Sequence, residues 1–335
     1  MQPGQFAATV VVPTHRGSHR LPALLTALAE QDTVDPWEVV AVVDGRDPDT
    51  EAVLARGAPG LVLTVVTRNR AGGAAVALNA GVAVARGRVI IRCDDDLTPA
   101  PDMVRRHLAH HRDTDDVGVV GLTRDVLPDS PYARAYGRSA TARALAASYA
   151  RPEGERWVSW AAHNSVLRDR LEAVGGFDES FSYREDSDLG LRLQESGIRI
   201  VIDPDLEIEH RGAAHDAETR AARAWVSGAS EVLFRSRHPS ASLVVAPPAP
   251  RTTRARLWSF ASTVLSLGLR DRRRAGAAGR MVDRALPRAP AGVGGRLVAL
   301  VTEASAVAGR RHGGAAQDTF RAQKGDELDR ERARR

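Results

Sequence analysis

The chain has 335 residues, 43% hydrophobic but only 4% aromatic, and a net charge of +5. That length suits one large domain with an appendage, or two domains, built on a core of Val, Leu, Ile and Ala. The single cysteine, Cys93, excludes an intrachain disulfide. The first residues do not read as a signal peptide, and no run of about 18 apolar residues occurs, so a cytoplasmic chain without a spanning helix is expected.

Charge is uneven. Residues 1–210 hold 23 arginines against 31 acids, and residues 211–335 hold 24 basic residues against 11 acids. A basic C-terminal half meeting an anionic surface is one reading; arginine-rich solvated helix faces are the other.

In chain order, Ala7–Val12 is a short apolar run that reads as a strand buried on both faces, ended by Pro13. Leu21–Glu30 has helical spacing. Trp37–Val43, Leu61–Thr67 and Arg88–Arg92 are further strands, with a helix over Ala74–Ala85 before the last. Pro101–His111 predicts a helix and Val117–Leu122 a fifth strand. Residues 124–156 read as a loop with one short helix, and Trp157–Leu167 as a returning strand. Arg168–Val174 and Glu185–Ser196 are helical, and Ile198–Ile202 is a strand. Beyond about 213 only helices are expected, near 214–237, 252–270, 277–285 and 295–308, with a Pro-rich break at 246–250 and a charged, disordered tail from about Gly313. Strands alternating with helices imply an α/β fold with a doubly wound, mostly parallel sheet and a C-terminal helical appendage. In such sheets ligands bind beyond the carboxyl ends of the strands, where Asp44, Arg68–Arg70 and Asp94–Asp96 fall.

Four groups of residues carry chemistry. The triplet Asp94-Asp95-Asp96 follows a rigid strand; like charges there are relieved by a hard divalent cation, or by water at a solvated turn. Glu185-Asp186-Ser187-Asp188 opens a helix. Ser182 to Glu185 matches a capping box, and one carboxylate of the group suits a general base. His210 becomes a metal candidate if its strand lies beside the triplet. Arg68-Asn69-Arg70-Ala71-Gly72-Gly73, before a helix, offers a weak anion cradle.

Taken together, residues 6–212 resemble the inverting family 2 glycosyltransferases of GT-A (Rossmann-like) fold. The likeness rests on ordered blocks: Val11-Val12-Pro13-Thr14; Glu38–Gly45, with Asp44 as the single acid of a usual pair; Gly73 to Asn79-Ala80-Gly81; Arg88–Asp96 with the DxD acids; and Gly175-Gly176-Phe177-Asp178-Glu179 followed by Glu185-Asp186, Asp188-Leu189 and Arg192-Leu193. Where the family has an aromatic residue and an Asn or Asp, this chain has His15 and Arg16.

The resemblance implies a nucleotide-sugar donor, with uridine diphosphate as default, touching Pro13, Thr14, Arg16, Asp44, Arg70, Asn79, Asp94 and Asp95. It implies Mn²⁺ or Mg²⁺ on Asp94, Asp96 and His210, and Asp186 as the base that deprotonates an acceptor hydroxyl. Trp160, Asn164 and Glu185, with His163 near them, are implied acceptor or sugar contacts. The acceptor class is a sugar, a lipid-linked hydroxyl or another hydroxyl, in polysaccharide, glycolipid or other glycoconjugate synthesis. Two other functions stay open: a retaining glycosyltransferase or nucleotidyltransferase, and a non-catalytic scaffold.

These readings divide the chain into a transferase domain at 1–212, a basic helical region at 213–312 and the tail. The apolar segment 257–269, flanked by arginines, suits an anionic membrane surface at the cytoplasmic face, a cap on the domain or a homodimer contact. No nucleic-acid reader motif accompanies the charge, so no nucleic-acid partner is expected.

Overall fold

The computed structural model describes residues 6–241, 252–290 and 292–313. The Pro-rich break at 246–250, and the tail beyond Gly313, lie outside the described residues. The described residues form two compact units, one from 6–126, 145–179 and 185–212, the other from 127–144, 180–184 and those from 213 onward.

The first unit is built on a seven-stranded sheet. Its strands are β1 (Phe6–Thr14), β2 (Trp37–Val43), β3 (Leu63–Thr67), β4 (Gly87–Cys93), β6 (Val117–Val120), β8 (His163–Leu167) and β9 (Arg199–Ile202), in the order β3-β2-β1-β4-β8-β6-β9. The first four run parallel, with Thr14 beside Val43 and Val43 beside Thr67. β8 is antiparallel to both β4 and β6, and β6 is parallel to β9. The sheet is therefore mostly parallel, as the α/β reading expects.

Alternation along β2 explains how the sheet is covered. Val39, Ala41 and Val43 join a cluster with Leu21, Leu24, Leu25 and Leu28 of α1 (Leu21–Ala29), Leu54 of α2 (Pro48–Arg56) and Met103, Val104 and Leu108 of α4 (Met103–His110). Val40 and Val42 face the other way, against Ala77 and Ala80 of α3 (Ala74–Val84). Gly81 of α3 permits this approach, because a Cβ there would overlap Val11 of β1.

Several local expectations change. The sequence reading places no helix between the second and third strands; α2 occupies 48–56, started by a proline in its first turn with Asp49 and Glu51 at the favourable end of the helix dipole. Residues 138–149 form a 12-residue helix, α5 (Arg138–Tyr149), rather than mainly loop. The returning strand begins only at His163, since residues 153–159 coil into 3₁₀ turns that bury Trp157. A short helix, α6 (Arg168–Ala173), follows β8. The capping box does not form: α7 (Glu185–Glu195) starts at Glu185 itself, directly after Arg184 with φ +72°.

Three strands too short to show periodicity make a second sheet, in the order β5 (Leu97–Thr98), β10 (Ile208–His210), β7 (Thr123–Asp125). Between α4 and the main sheet runs a buried polar chain. His111 Nε2 and His107 Nδ1 lie 2.9 and 2.8 Å from Ser165 Oγ, and His107 Nε2 lies 2.9 Å from His163 Nε2.

The second unit is helical. α8 (Ala217–Arg237), α9 (Thr253–Ser266), α10 (Arg272–Ala285) and α11 (Val293–His312) follow in order. Glycines let these helices approach closely. A Cβ on Gly228 of α8 would overlap Ala306 of α11, one on Gly309 would overlap Trp225, and one on Gly279 of α10 would overlap Ala217. Val226, Ala229, Ala275, Ala304 and Ala308 fill the space between.

Candidate active site

Four parallel strands end at one edge, and the sequence-predicted residues collect there. Pro13 and Thr14 end β1, Asp44 follows β2, and Asp94 follows β4. Arg16 sits in the turn after β1 with φ +51°. Collecting at an edge does not give these side chains the same task.

Asp95 is turned into the protein. It is 7% exposed, accepts the Thr14 hydroxyl at 2.6 Å, and is held by Arg20 through Nε at 2.9 Å and Nη2 at 2.8 Å. Arg20 also reaches the His15 carbonyl at 3.1 Å, so this pair fixes the turn after β1. The carboxylate expected at the donor has its hydrogen bonds inside the protein.

Asp44 fills the anion cradle found in the sequence. Its oxygens accept Arg68 Nη1 at 2.7 Å, Gly72 N at 2.7 and 3.0 Å, and Gly73 N at 2.7 Å. The anion at the N-terminus of α3 is thus the chain's own carboxylate. Arg70 stays outside this cradle and is exposed. Asn79 is likewise taken. Its amide donates to the Phe177 carbonyl at 2.9 Å and to Glu179 Oε1 at 3.0 Å, and its oxygen accepts Phe177 N at 2.9 Å. It clamps the Gly-Gly-Phe-Asp-Glu turn to α3, which explains the two blocks without a donor contact.

Trp160 and Asn164 are also redirected. Trp160 is 1% exposed, and Gly118 and Gly190 lie so close that a Cβ on either would press on its ring or Cβ. Asn164 is buried in β8 opposite Arg92 and donates to the Ala161 carbonyl. His163 belongs to the buried histidine chain. All three side chains are buried.

The sequence reading missed the residue that joins the remaining acids. Arg92, a charged residue between Ile91 and Cys93 in a buried strand, is 5% exposed. It grips Asp94 with Nε at 2.8 Å and Nη2 at 3.1 Å, and its Nη1 donates to Asp186. The Phe177 ring lies 6.0 Å from the guanidinium. An arginine interrupting an apolar strand was the available signal, since burying a charge demands partners.

Burial disfavours this guanidinium's charge, but Asp186 and Asp94 outweigh it and hold the proton more firmly than usual. Burial pushes the Asp94 carboxyl above its ordinary range, Arg92 opposes, and Asp96 and Asp186 add to the rise. Beside them Glu185 is 8% exposed; burial, then repulsion from Asp186, carries it up to about 8. Asp186 keeps a partly exposed side chain. Asp188 is spent on Arg192, at 2.9 and 2.6 Å, within α7.

The second sheet brings His210 to the triplet. β10 pairs His210 with Leu97 on one side and with Asp125 on the other. His210 Nε2 lies 3.6 Å from Asp96 Oδ2, and Nδ1 lies 2.7 Å from Asp125 Oδ1. Burial would lower the His210 pKa, but its bonds with Asp125 and Asp96 carry it up to about 9. A Cβ on Gly212 would overlap Asp96 Oδ2, so glycine lets the chain wrap this pair. Among the described residues no group of three or more His, Cys, Asp or Glu converges as a metal site. Asp94 faces Arg92, and Asp96 and His210 face each other.

A parallel β3-β2-β1-β4 half-sheet with acids at its carboxyl edge is a Rossmann-like arrangement. Two family models match: Glycosyl transferase family 2 over residues 9–167, and Glycosyl transferase family group 2 over residues 89–272. The chain belongs to the family 2 glycosyltransferases. It is similar to a pre-mycofactocin glycosyltransferase of Mycobacterium tuberculosis, 28% identical over 72% of this chain and 51% of that protein. It is also similar to an undecaprenyl-phosphate 4-deoxy-4-formamido-L-arabinose transferase of Serratia proteamaculans, 31% identical over 39% of this chain and 40% of that protein. The matches span about half the length of these relatives or less. Among solved structures, a Pyrobaculum calidifontis mannosyltransferase in complex with GDP-Man and Mn²⁺ shares the fold. Its TM-score is 0.55 at 21% identity, covering 98% of this chain and 89% of that one. S. aureus TarS 1–349 in complex with UDP-GlcNAc gives 0.52 at 17% identity, covering 96% and 92%.

Proposed function

We propose that the chain transfers a sugar from a nucleoside-diphosphate donor to an acceptor hydroxyl by a single displacement that inverts the anomeric carbon. The observation that carries this is Arg92, which joins Asp94 of the triplet to Asp186 at the start of α7. One side chain thereby fixes the separation of the donor-side and acceptor-side acids.

Asp186 is the general base. Its side chain remains partly exposed and within reach of an acceptor, while its Oδ1 is oriented by Arg92. Burial, then repulsion from Asp186, raises the Glu185 carboxyl and favours its neutral form.

Asp96 and His210 fit a divalent cation by their chemistry. One carboxylate and one imidazole face each other, Asp125 holds the other ring nitrogen, and Gly212 leaves room around them. A cation needing few protein ligands takes the rest from phosphate and water. When bound, Mn²⁺ or Mg²⁺ would offset charge on the departing nucleoside diphosphate. Arg16 and the backbone of the turn after β1 shape the nucleotide side. On this reading residues 1–212 form the transferase domain and 213–312 a helical basic region. UDP-sugars are the first donors to screen, and glycoconjugate or lipid-linked hydroxyls the first acceptors.

The test pairs a nucleotide-sugar panel with Mn²⁺, reading thermal shift and nucleoside diphosphate release. The Asp186→Asn variant should lose about 10²–10⁴-fold in turnover while donor binding persists. Turnover near that of the unmodified chain would refute the assignment of the base. NMR of the product's anomeric centre checks inversion.

A further inference from the structure

α9 is folded with its polar side inward. Ser262 and Ser266 are buried. The Ser262 hydroxyl donates to Glu303 Oε1 at 3.3 Å, the Trp258 indole N–H to Glu303 Oε2 at 2.5 Å, and Arg311 to Ser266 Oγ at 3.3 Å. The outward positions are apolar. Leu257, Phe260, Val264 and Leu267 are 66%, 69%, 49% and 57% exposed. Steps of three, four and three residues place them on one stripe, the reverse of a helix that seats its apolar face on a core. Met281 of α10 is 69% exposed as well. A contiguous stripe of large apolar side chains marks a surface that has a partner.

The surrounding charge selects that partner. Residues 252–290 contain nine arginines and two acids. Both acids serve helix ends: Asp271 accepts Arg274 N at 2.9 Å, and Asp283 accepts Ala217 N and Glu218 N at 2.9 and 3.0 Å. Arg254 and Arg256 before the stripe, and Arg270, Arg273 and Arg274 after it, are exposed. A second copy would bring these same arginines together around the stripe. Anionic headgroups neutralise them while the acyl boundary receives the apolar side chains.

We propose that the outward face of α9, with its flanking arginines, is a docking surface for an anionic lipid bilayer. Among the described residues no helix is long and apolar enough to cross a membrane, so this attachment is peripheral. It does not rest on the transferase reading, and its test uses no sugar donor.

The full chain is sedimented with vesicles of phosphatidylcholine alone, and of phosphatidylcholine mixed with phosphatidylglycerol. Binding is expected to the mixed vesicles only, weakening as salt rises. The variant Phe260→Ser/Val264→Ser/Leu267→Ser, with circular dichroism matching the unmodified chain, should bind at least about tenfold more weakly. Arg254→Gln/Arg256→Gln should lose about tenfold or more at low salt. The proposal is overturned if the unmodified chain ignores mixed vesicles at low salt, or if the triple-serine variant binds equally well. It is also overturned if sedimentation velocity shows a dimer that the triple-serine variant dissolves, which assigns the stripe to a second copy.

Discussion

Protonation of the buried histidine chain should destabilise the protein below neutral pH, and His111→Gln isolates the effect. Burial lowers both His111 and His163 from 6.5 to about 4, His110 and Arg88 adding to the shift at His111, and His107 moves in the same direction. Between those values the unfolded chain binds protons that the folded chain refuses, so stability falls as pH drops from 6.5 towards 4. At pH 5.5 a histidine shifted in this way contributes a loss of about 1.4 kcal/mol, against roughly 5–15 kcal/mol for a whole domain.

Total stability alone does not reveal this loss. Glu185, raised from 4.5 to about 8, stabilises the protein as pH falls between those values, and His210, raised to about 9, does so between about 9 and 6.5. The informative quantity is therefore a difference. Urea unfolding of the unmodified chain and of His111→Gln is measured at pH 7.5 and 5.5. The stability gap between them should narrow by about 1.4 kcal/mol at the lower pH, because only the unmodified chain carries the His111 penalty. A gap that stays constant would refute the burial of a neutral His111.

Three further outcomes follow from the site. Asn79→Ala removes a clamp with three hydrogen bonds, which should cost about 1–3 kcal/mol in unfolding experiments while donor affinity stays within about twofold. Gly212→Ala forces a Cβ into Asp96, so isothermal titration should show Mn²⁺ binding weakened by about 10–100-fold. Arg92→Met leaves Asp94 and Asp186 without their counter-ion. Calorimetric unfolding should show a loss of about 3–5 kcal/mol and transfer assays a loss of turnover, whereas an unchanged turnover would separate Arg92 from the chemistry.

The four parallel strands β1 to β4 were legible because each is a short, mainly apolar run, whereas β8, with His163, Asn164 and Ser165, was expected from Trp157 and begins six residues later. Trp37–Val43 is placed residue for residue. β5, β7 and β10 were not legible: two or three residues carry no period, and their pairing depends on chain segments more than 80 residues apart. That sheet is what sets His210 beside Asp96, so the sequence offered the histidine as a candidate but not its second carboxylate, Asp125. For Asp44, Asp95 and Asn79 the residue types were conspicuous, but their use was not. A carboxylate at a strand end looks the same in sequence whether it faces a ligand or a neighbouring arginine.

The occupied cradle at the start of α3 is a receptor with its ligand tethered. Arg68, Gly72 and Gly73 meet a carboxylate supplied by the same chain, at the effective concentration of a neighbouring strand end. Free phosphate, sulfate or nucleotide would have to displace a group that never diffuses away. The loop over 68–73 is thereby insulated from the anions of its surroundings.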